Sequence, residues 1–142
     1  MSALADATVL AFDFGTRRVG VAIGNTLVRV AHPLVTIEGD SPATTLAAIA
    51  VLIDEWQPGQ LVVGLPAHAD GTPHAMTAQA QSFARALGDR FALPVGTVDE
   101  RWTTEIAQDM LDAGKRGRRG RAERDQIAAQ VILQAWFDEG AG

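Results

Sequence analysis

Three carboxylate side chains, Asp13, Glu100 and Asp125, stand beside apolar segments of the sequence. Asp13 lies in an alternating apolar segment, and since alternate residues of a strand share a face, it shares one with Val9 and Ala11. Burying a lone carboxylate is costly unless a cation, a metal ion or hydrogen-bond donors meet it. Asp13 is therefore predicted either to accept N–H bonds from the turn that follows it or to belong to a metal or phosphate site.

Glu100 and Asp125 are predicted to lie near Asp13. Glu100 follows a short apolar segment that is typical of a buried strand. Asp125 shares one helical face with Ala128 and Ala129, and two alanines on that face would let the helix approach the sheet closely. The alternative for Asp125 is a cap or a charge that complements the helix dipole.

Three carboxylates gathered at one sheet edge have a definite chemistry. They repel one another, which raises the pKa of at least one of them. A divalent cation removes this conflict, and a set of oxygen-only ligands favours Mg²⁺ or Mn²⁺. A hydrated Mg²⁺ carries waters that can be activated to attack phosphorus. The residues thus favour metal-assisted phosphodiester hydrolysis, with Asp13, Glu100 and Asp125 as both catalytic residues and metal ligands.

The positive charge of the chain is concentrated in the segment 115–124. This segment holds six of the twelve Lys and Arg residues and one acid, so it carries +5 in a chain of net charge −5. Such asymmetry indicates a local anionic partner, here the phosphodiester backbone, although a solvated loop with a chance basic bias is the alternative. With the arginines nearest the carboxylates included, the predicted nucleic-acid-binding residues are Arg17, Arg101, Lys115, Arg116, Arg118, Arg119 and Arg121.

The elements that must position these residues alternate along the chain. A hairpin is predicted over 9–23, because two β-rich segments flank a short connection that contains Gly15. A third strand is predicted over 27–37, and Pro33 places it at a sheet edge. Further strands are predicted over 60–65 and 93–98, and helices from Pro42 to Pro58 behind the cap Ser41, over 74–88, after Thr103 or Thr104, and over 122–137.

This order of elements predicts an α/β fold. Strands separated by helices need right-handed crossovers and therefore run parallel. A three-strand antiparallel meander followed by two parallel strands gives a five-stranded mixed sheet with helices on its faces. Sites in such sheets form outside the carboxyl ends of the parallel strands. The three carboxylates are expected to face one space there, which Arg17 or Arg101 could occupy when no metal is bound.

Composition places the chain among ordinary globular proteins. At 142 residues, 47% apolar and 20% charged, it is long enough for one domain, 1–142, with a core of its own. The lack of cysteine excludes disulfides and thiolate zinc sites. No secretory pattern opens the chain and no apolar stretch could span a bilayer, so a cytoplasmic protein without a membrane partner is predicted.

Four groups of motifs, in order along the chain, carry a resemblance to a known family. They are Phe12-Asp-Phe-Gly-Thr16 with Gly20-Val-Ala22, Val63-Gly-Leu-Pro66 with Asp70-Gly71, Asp99-Glu-Arg101 with Thr103-Thr104, and Asp125 with Ala128-Ala129 and Ile132-Leu133. The chain resembles the YqgF (RuvX) family of Holliday-junction-resolvase-like nucleases, the pre-16S rRNA nucleases of bacteria. It departs from the family's pattern at Gln126, where a small hydroxyl residue is common, and at Trp102, where Leu is usual.

The resemblance implies a ribonuclease H-like fold, a cytoplasmic location and a role in maturing the 5′ end of small-subunit ribosomal RNA, with Asp13, Glu100 and Asp125 as the acidic centre. The predicted function is thus a metal-dependent endo- or exonuclease whose partners are precursor rRNA and branched DNA. Two other readings stay open. One is a non-catalytic RNA-binding or assembly factor, and the other is a phosphate-loop nucleotide-binding domain, since Asp13 to Thr16 also resembles the first phosphate loop of the actin and hexokinase ATPases.

Overall fold

The structure, a computed structural model, describes residues 7–15, 17–66, 75–100 and 120–139. Within these ranges lie five strands and three helices. In chain order they are β1 (Thr8–Phe14), β2 (Arg18–Asn25), β3 (His32–Glu38), α1 (Pro42–Trp56), β4 (Gln60–Leu65), α2 (Thr77–Phe91), β5 (Val95–Asp99) and α3 (Arg121–Asp138). The helix predicted after Thr103 or Thr104 falls outside the described residues.

The strands form one mixed sheet in the order β3-β2-β1-β4-β5. Strand β2 runs antiparallel to both β1 and β3, whereas β4 runs parallel to β1 and β5 parallel to β4. The carboxyl ends of β1, β4 and β5 therefore meet at one sheet edge. This confirms the predicted meander followed by two parallel strands.

Strand β3 is the edge strand that Pro33 predicted, but it begins later than expected. Pro33 pairs with Ala22 beside a shift in register, where a residue without an N–H is tolerated. The predicted start near Leu27 is wrong, because the chain turns there. Arg29 has φ 58, and its N–H donates to the Asn25 carbonyl at 2.8 Å. A local turn replaces strand pairing in this segment.

The helices on one face begin and end near their predicted positions. The Ser41 hydroxyl accepts from the Thr44 N–H at 3.2 Å and so caps α1 as expected. Helix α2 was predicted over 74–88 but continues to Phe91, ending where Ala92 takes φ 53. Gly88 therefore lies inside the helix and does not end it, and a Cβ added there would make only an ordinary contact with a Val95 methyl at 3.6 Å.

Two apolar layers sandwich the sheet. One face, with Phe12 and Val63 among its residues, packs against α1 and α2. The other face, with Ala11 and Val62, packs against α3. Small residues dominate this second face, so α3 lies very close to the sheet. None of the helices in the described ranges is long and apolar enough to cross a membrane.

Candidate active site

Asp13 stands one residue before the end of β1, on the face that α3 covers. Its register partner on β2 is Gly20. Because β1 pairs in parallel with β4 up to Phe12 and Val63, the next residue of β4, Gly64, lies on its other side. Asp13 thus sits between two residues without side chains, which leaves room above the sheet for groups from other elements.

Glu100 uses the room above Gly64. It follows β5 directly, and a Cβ added to Gly64 would lie 3.1 Å from the Glu100 carboxyl carbon and 2.4 Å from the Ile132 Cδ1. Glu100 therefore reaches across β4 and forms a hydrogen bond with the Asp13 carboxyl group. Glu100 faces inward, as the sequence predicted.

Asp125 enters the same space from above Gly20. A Cβ on Gly20 would lie only 1.9 Å from the Asp125 backbone oxygen and 3.0 Å from its Cβ. Helix α3 can start this close to β2 only because Gly20 lacks a side chain. The structure thus brings Asp13, Glu100 and Asp125 together from β1, the end of β5 and the N-terminal part of α3.

The gathered charges change the acidity of the pair beneath α3. Burial, the negative charges of Glu100 and Asp125, and the hydrogen bond with Glu100 raise the pKa of Asp13 from 3.8 to about 8. Burial also raises the pKa of Glu100, while the hydrogen bond from Asp13 lowers it and the charge of Asp99 raises it again. At neutral pH and without a cation, the pair therefore retains a proton on Asp13, whose O–H donates a hydrogen bond to the Glu100 carboxylate.

Arg18 holds the third carboxylate. Its Nε lies 2.7 Å from Asp125 Oδ2, and the two side chains are 33% and 24% exposed. The hydrogen bond to Asp125 and the charge of that carboxylate raise the pKa of Arg18. An arginine was expected in this space, but Arg17 or Arg101 was named for it. For Arg17 that expectation is wrong, since the ion pair belongs to Arg18, and Arg101 lies outside the described residues.

These pairings bear on the predicted metal site. Among the described ranges, no group of three or more His, Cys, Asp or Glu side chains is arranged to hold a metal ion. In the structure, Asp125 instead binds Arg18 and Asp13 binds Glu100. The donor set itself fits Mg²⁺ or Mn²⁺, being carboxylate oxygens whose mutual repulsion a cation would relieve. Loading such an ion requires the carboxylates to exchange their present partners.

A cavity of about 380 Å³ opens over the carboxylates, and Asp13, Asp125, Arg17 and Arg18 lie in its wall. We call it the acidic cavity. Arg17 is an exposed residue of this wall, whereas the ion pair with Asp125 is made by Arg18. The structure does not describe the side chains of the other predicted nucleic-acid-binding residues. Those at positions 101, 115, 116, 118 and 119 lie outside the described residues, as does the Arg121 side chain.

Fold and site together define a class of protein. A mixed five-stranded sheet of this order, with helices on both faces, is the ribonuclease H-like fold of the RuvC resolvases. The chain belongs to the RuvX family, described as Holliday junction resolvase, whose sequence profile matches residues 7–139. This confirms the family that the four groups of motifs indicated.

Known relatives and structures agree with this assignment. A Chromobacterium violaceum protein named "Putative pre-16S rRNA nuclease" is 52% identical over 132 residues, which are 92% of this chain and 96% of that protein. A Nitrosomonas europaea protein of the same name is 52% identical over 139 residues, 97% of this chain and 94% of its own. The structure of T. thermophilus RuvC in complex with a Holliday junction substrate matches with a TM-score of 0.59 at 14% identity, covering 96% of this chain and 98% of that one. That likeness is one of fold.

Proposed function

We propose that this chain is a cytoplasmic nuclease that hydrolyses phosphodiester bonds with the help of a divalent cation, acting in 5′-end processing of precursor 16S rRNA and so in ribosome biogenesis. One observation carries the proposal. Asp13, Glu100 and Asp125 converge on one space from three separate elements, and burial together with the two neighbouring carboxylates raises the pKa of Asp13 to about 8. The names of the relatives supply the substrate class. Residues 1–142 are proposed to form a single ribonuclease H-like domain.

The three carboxylates would hold the cation, Mg²⁺ or Mn²⁺. When bound, the cation supplies charge neutralisation at the phosphate and lowers the pKa of attacking water. To hold it, Asp13 and Glu100 would have to lose their shared proton to solvent, and Asp125 would have to leave Arg18. The planar guanidinium of Arg18 would then be available to bind a phosphate oxygen in the acidic cavity. Arg17, exposed at the same wall, would help to orient the phosphodiester.

A cleavage assay tests this proposal. Purified protein is incubated with precursor 16S rRNA, with a branched DNA junction and with fully paired duplexes, in the presence of Mn²⁺, Mg²⁺ or a chelator. Cut products that require the cation and Asp13 support the nuclease. End-labelled substrates separate endonucleolytic from exonucleolytic cutting, because only the latter releases single nucleotides progressively.

One observation supports the alternative hypothesis that the chain is a non-catalytic RNA-binding factor. Each carboxylate already has a partner within the protein, Arg18 for Asp125 and the Asp13–Glu100 pair for the others. Acids satisfied in this way could serve the fold alone. Binding of precursor rRNA without cleavage under any cation, together with full binding by an Asp13→Asn variant, would select this function over the nuclease.

The basic segment is expected to supply phosphate contacts. Replacing Arg116, Arg118 and Arg119 with Ala should weaken binding to all nucleic-acid sequences alike, because phosphate contacts position the substrate without reading bases. Each lost contact should reduce the slope of log affinity against log salt by about 0.7 to 0.9. Fluorescence anisotropy across a salt series measures both effects. The matched control replaces Arg85 and Arg90 of α2, and an unchanged slope in the triple variant would contradict the assignment.

Arg18 is expected to compete with the cation for Asp125. An Arg18→Gln variant should bind Mn²⁺ more tightly, because Asp125 loses its ion pair and three carboxylates then face the cation without a neighbouring positive charge. Calorimetric titration without nucleic acid measures this directly. The Arg18→Gln/Asp125→Asn double variant should show no such gain over Asp125→Asn. If Arg18→Gln raised the affinity for Mn²⁺ equally in the parent and in Asp125→Asn, Arg18 would not act through Asp125.

A further inference from the structure

A second cavity lies at the same sheet edge as the acidic cavity but on the opposite face. Its volume is about 330 Å³, and it opens between the start of α1 and the middle of α2. Asp13 and Phe14 are consecutive in β1, so their side chains point to opposite faces. Phe14 and Gly15 line both cavities. The two cavities are therefore neighbours across the end of β1.

The walls of this second cavity are mostly apolar and partly aromatic. Leu46, Phe83 and Ala86 contribute to them together with Phe14. The rings of Phe14 and Phe83 are 4.8 Å apart between centroids and inclined by 32°. Phe14 keeps part of its surface accessible. Such walls suit a flat, apolar-faced group rather than a hydrated one.

The polar and charged residues of the second cavity indicate which kind of ligand it could bind. Asp40 and Ser82, which are both exposed, and the half-buried Thr45 also line this cavity. A carboxylate repels phosphate but accepts hydrogen bonds from the amino groups of nucleobases. On the other side of Gly15, Arg17 and Arg18 line the acidic cavity and favour phosphate. Phosphate-binding and base-binding chemistry are thus separated by the end of one strand.

We propose that this second cavity, the base pocket, holds one unpaired nucleobase of the nucleic acid whose phosphate occupies the acidic cavity. The inference rests on the proposed nuclease function and specifies its substrate. A base in a duplex must unstack and unpair to leave the helix, whereas a single strand or an unpaired nucleotide offers its base freely. The preferred substrate is therefore single-stranded, or unpaired next to the bond that is cut.

Cavity-filling variants test the base pocket by binding alone. In the Asp13→Asn background, Ala86→Leu fills the pocket and Ser82→Leu covers its rim from an exposed position. The matched control is Ala47→Leu, an exposed position of α1 outside the pocket. Anisotropy compares three probes of equal length, a single-stranded RNA, an abasic strand and a fully paired duplex. Thermal denaturation identifies any variant that fails to fold.

Both pocket variants should weaken binding of the single-stranded RNA about tenfold, as loss of one base–aromatic stack does, and leave the other two probes and the control unaffected. Equal weakening for all three probes, or no weakening by either folded variant, would overturn the base pocket. Cleavage by the parent protein is a separate readout. Asp13-dependent cleavage with no effect of the pocket variants on binding would contradict the base pocket and support the nuclease. Weaker single-strand binding by the pocket variants, without any cleavage by the parent protein, would support the base pocket and contradict the nuclease.

Discussion

An Asp13→Asn variant should lose cleavage by at least about 10³-fold while keeping its fold and its affinity for nucleic acid. The change preserves the shape of the side chain and removes the charge that a cation needs. Losing about 4 kcal/mol of the charge stabilisation that a bound metal supplies corresponds to a 10³-fold slower reaction. Single-turnover cleavage of precursor rRNA in Mn²⁺ measures the loss.

The matched control is Asp54→Asn, an exposed carboxylate on α1 that lies outside the site. It removes the same charge and should cleave at the parent rate. Cleavage by Asp13→Asn at the parent rate would refute the acidic centre. Equal loss in both variants would point to net charge rather than to the site.

The same variant should remove a pH effect on stability that the Asp13 carboxyl group causes. Asp13 has a pKa of 3.8 in its ordinary state and about 8 in the fold, so between these values the folded protein binds the extra proton. Stability therefore falls as pH rises from about 4 to about 8 and this loss is complete above the folded pKa. Asn cannot titrate, so the free energy of unfolding of Asp13→Asn should exceed that of the parent increasingly toward about pH 8. Urea denaturation across this range without divalent cations measures the difference.

A Gly20→Ala variant should lose about 3 kcal/mol of stability or more, the upper range for overpacking. The added Cβ would lie 1.9 Å from the Asp125 backbone oxygen, which cannot move aside as a flexible side chain could. Helix α3 must then lift from β2, which displaces Asp125 from Asp13. Urea denaturation gives the stability loss, and cleavage should fall with it.

Gly88→Ala is the matched control for that substitution. Its Cβ would make only an ordinary 3.6 Å contact with Val95. Because Gly is an unfavourable residue inside a helix, the control should gain about 0.5–1 kcal/mol. A loss at Gly20 no larger than about 1 kcal/mol would show that α3 does not depend on this close approach.

Much of the fold was accessible from local patterns. Alternation and helix-separated strands predicted the mixed sheet, and Pro33 predicted the edge strand. The ends of the strands and helices were harder to predict from the sequence, because each depends on the backbone conformation of one or two residues. Arg29 and Ala92 both take positive φ although neither is glycine, and each ends or delays an element that apolar patterning alone would place differently.

The sequence predicted which three carboxylates come together, but it did not predict which group each of them binds. Spacing placed Asp13, Glu100 and Asp125 at one edge, since strand ends and helix faces are regular. The sequence could also have indicated Arg18 as the arginine beside the carboxylates. Gly20 pairs with Asp13, and alternate residues of a strand share a face, so Arg18 is expected on the face of Asp13 and Arg17 on the opposite one. Which carboxylate pairs with which group depends on the height of α3 above the sheet, and glycines at two positions set that height in a way that only coordinates reveal.

The position of α3 along the chain has a consequence for synthesis. Arg18 and Asp125 are separated by 107 positions. Contacts between such distant residues form late, because closing the intervening chain costs entropy before the contact is made. Chains emerge from the ribosome N-terminus first, so all five strands are available before α3 exists. A partly made chain then carries Asp13 and Glu100 without Asp125, and if cleavage needs all three carboxylates, activity should begin only when α3 docks on the strands.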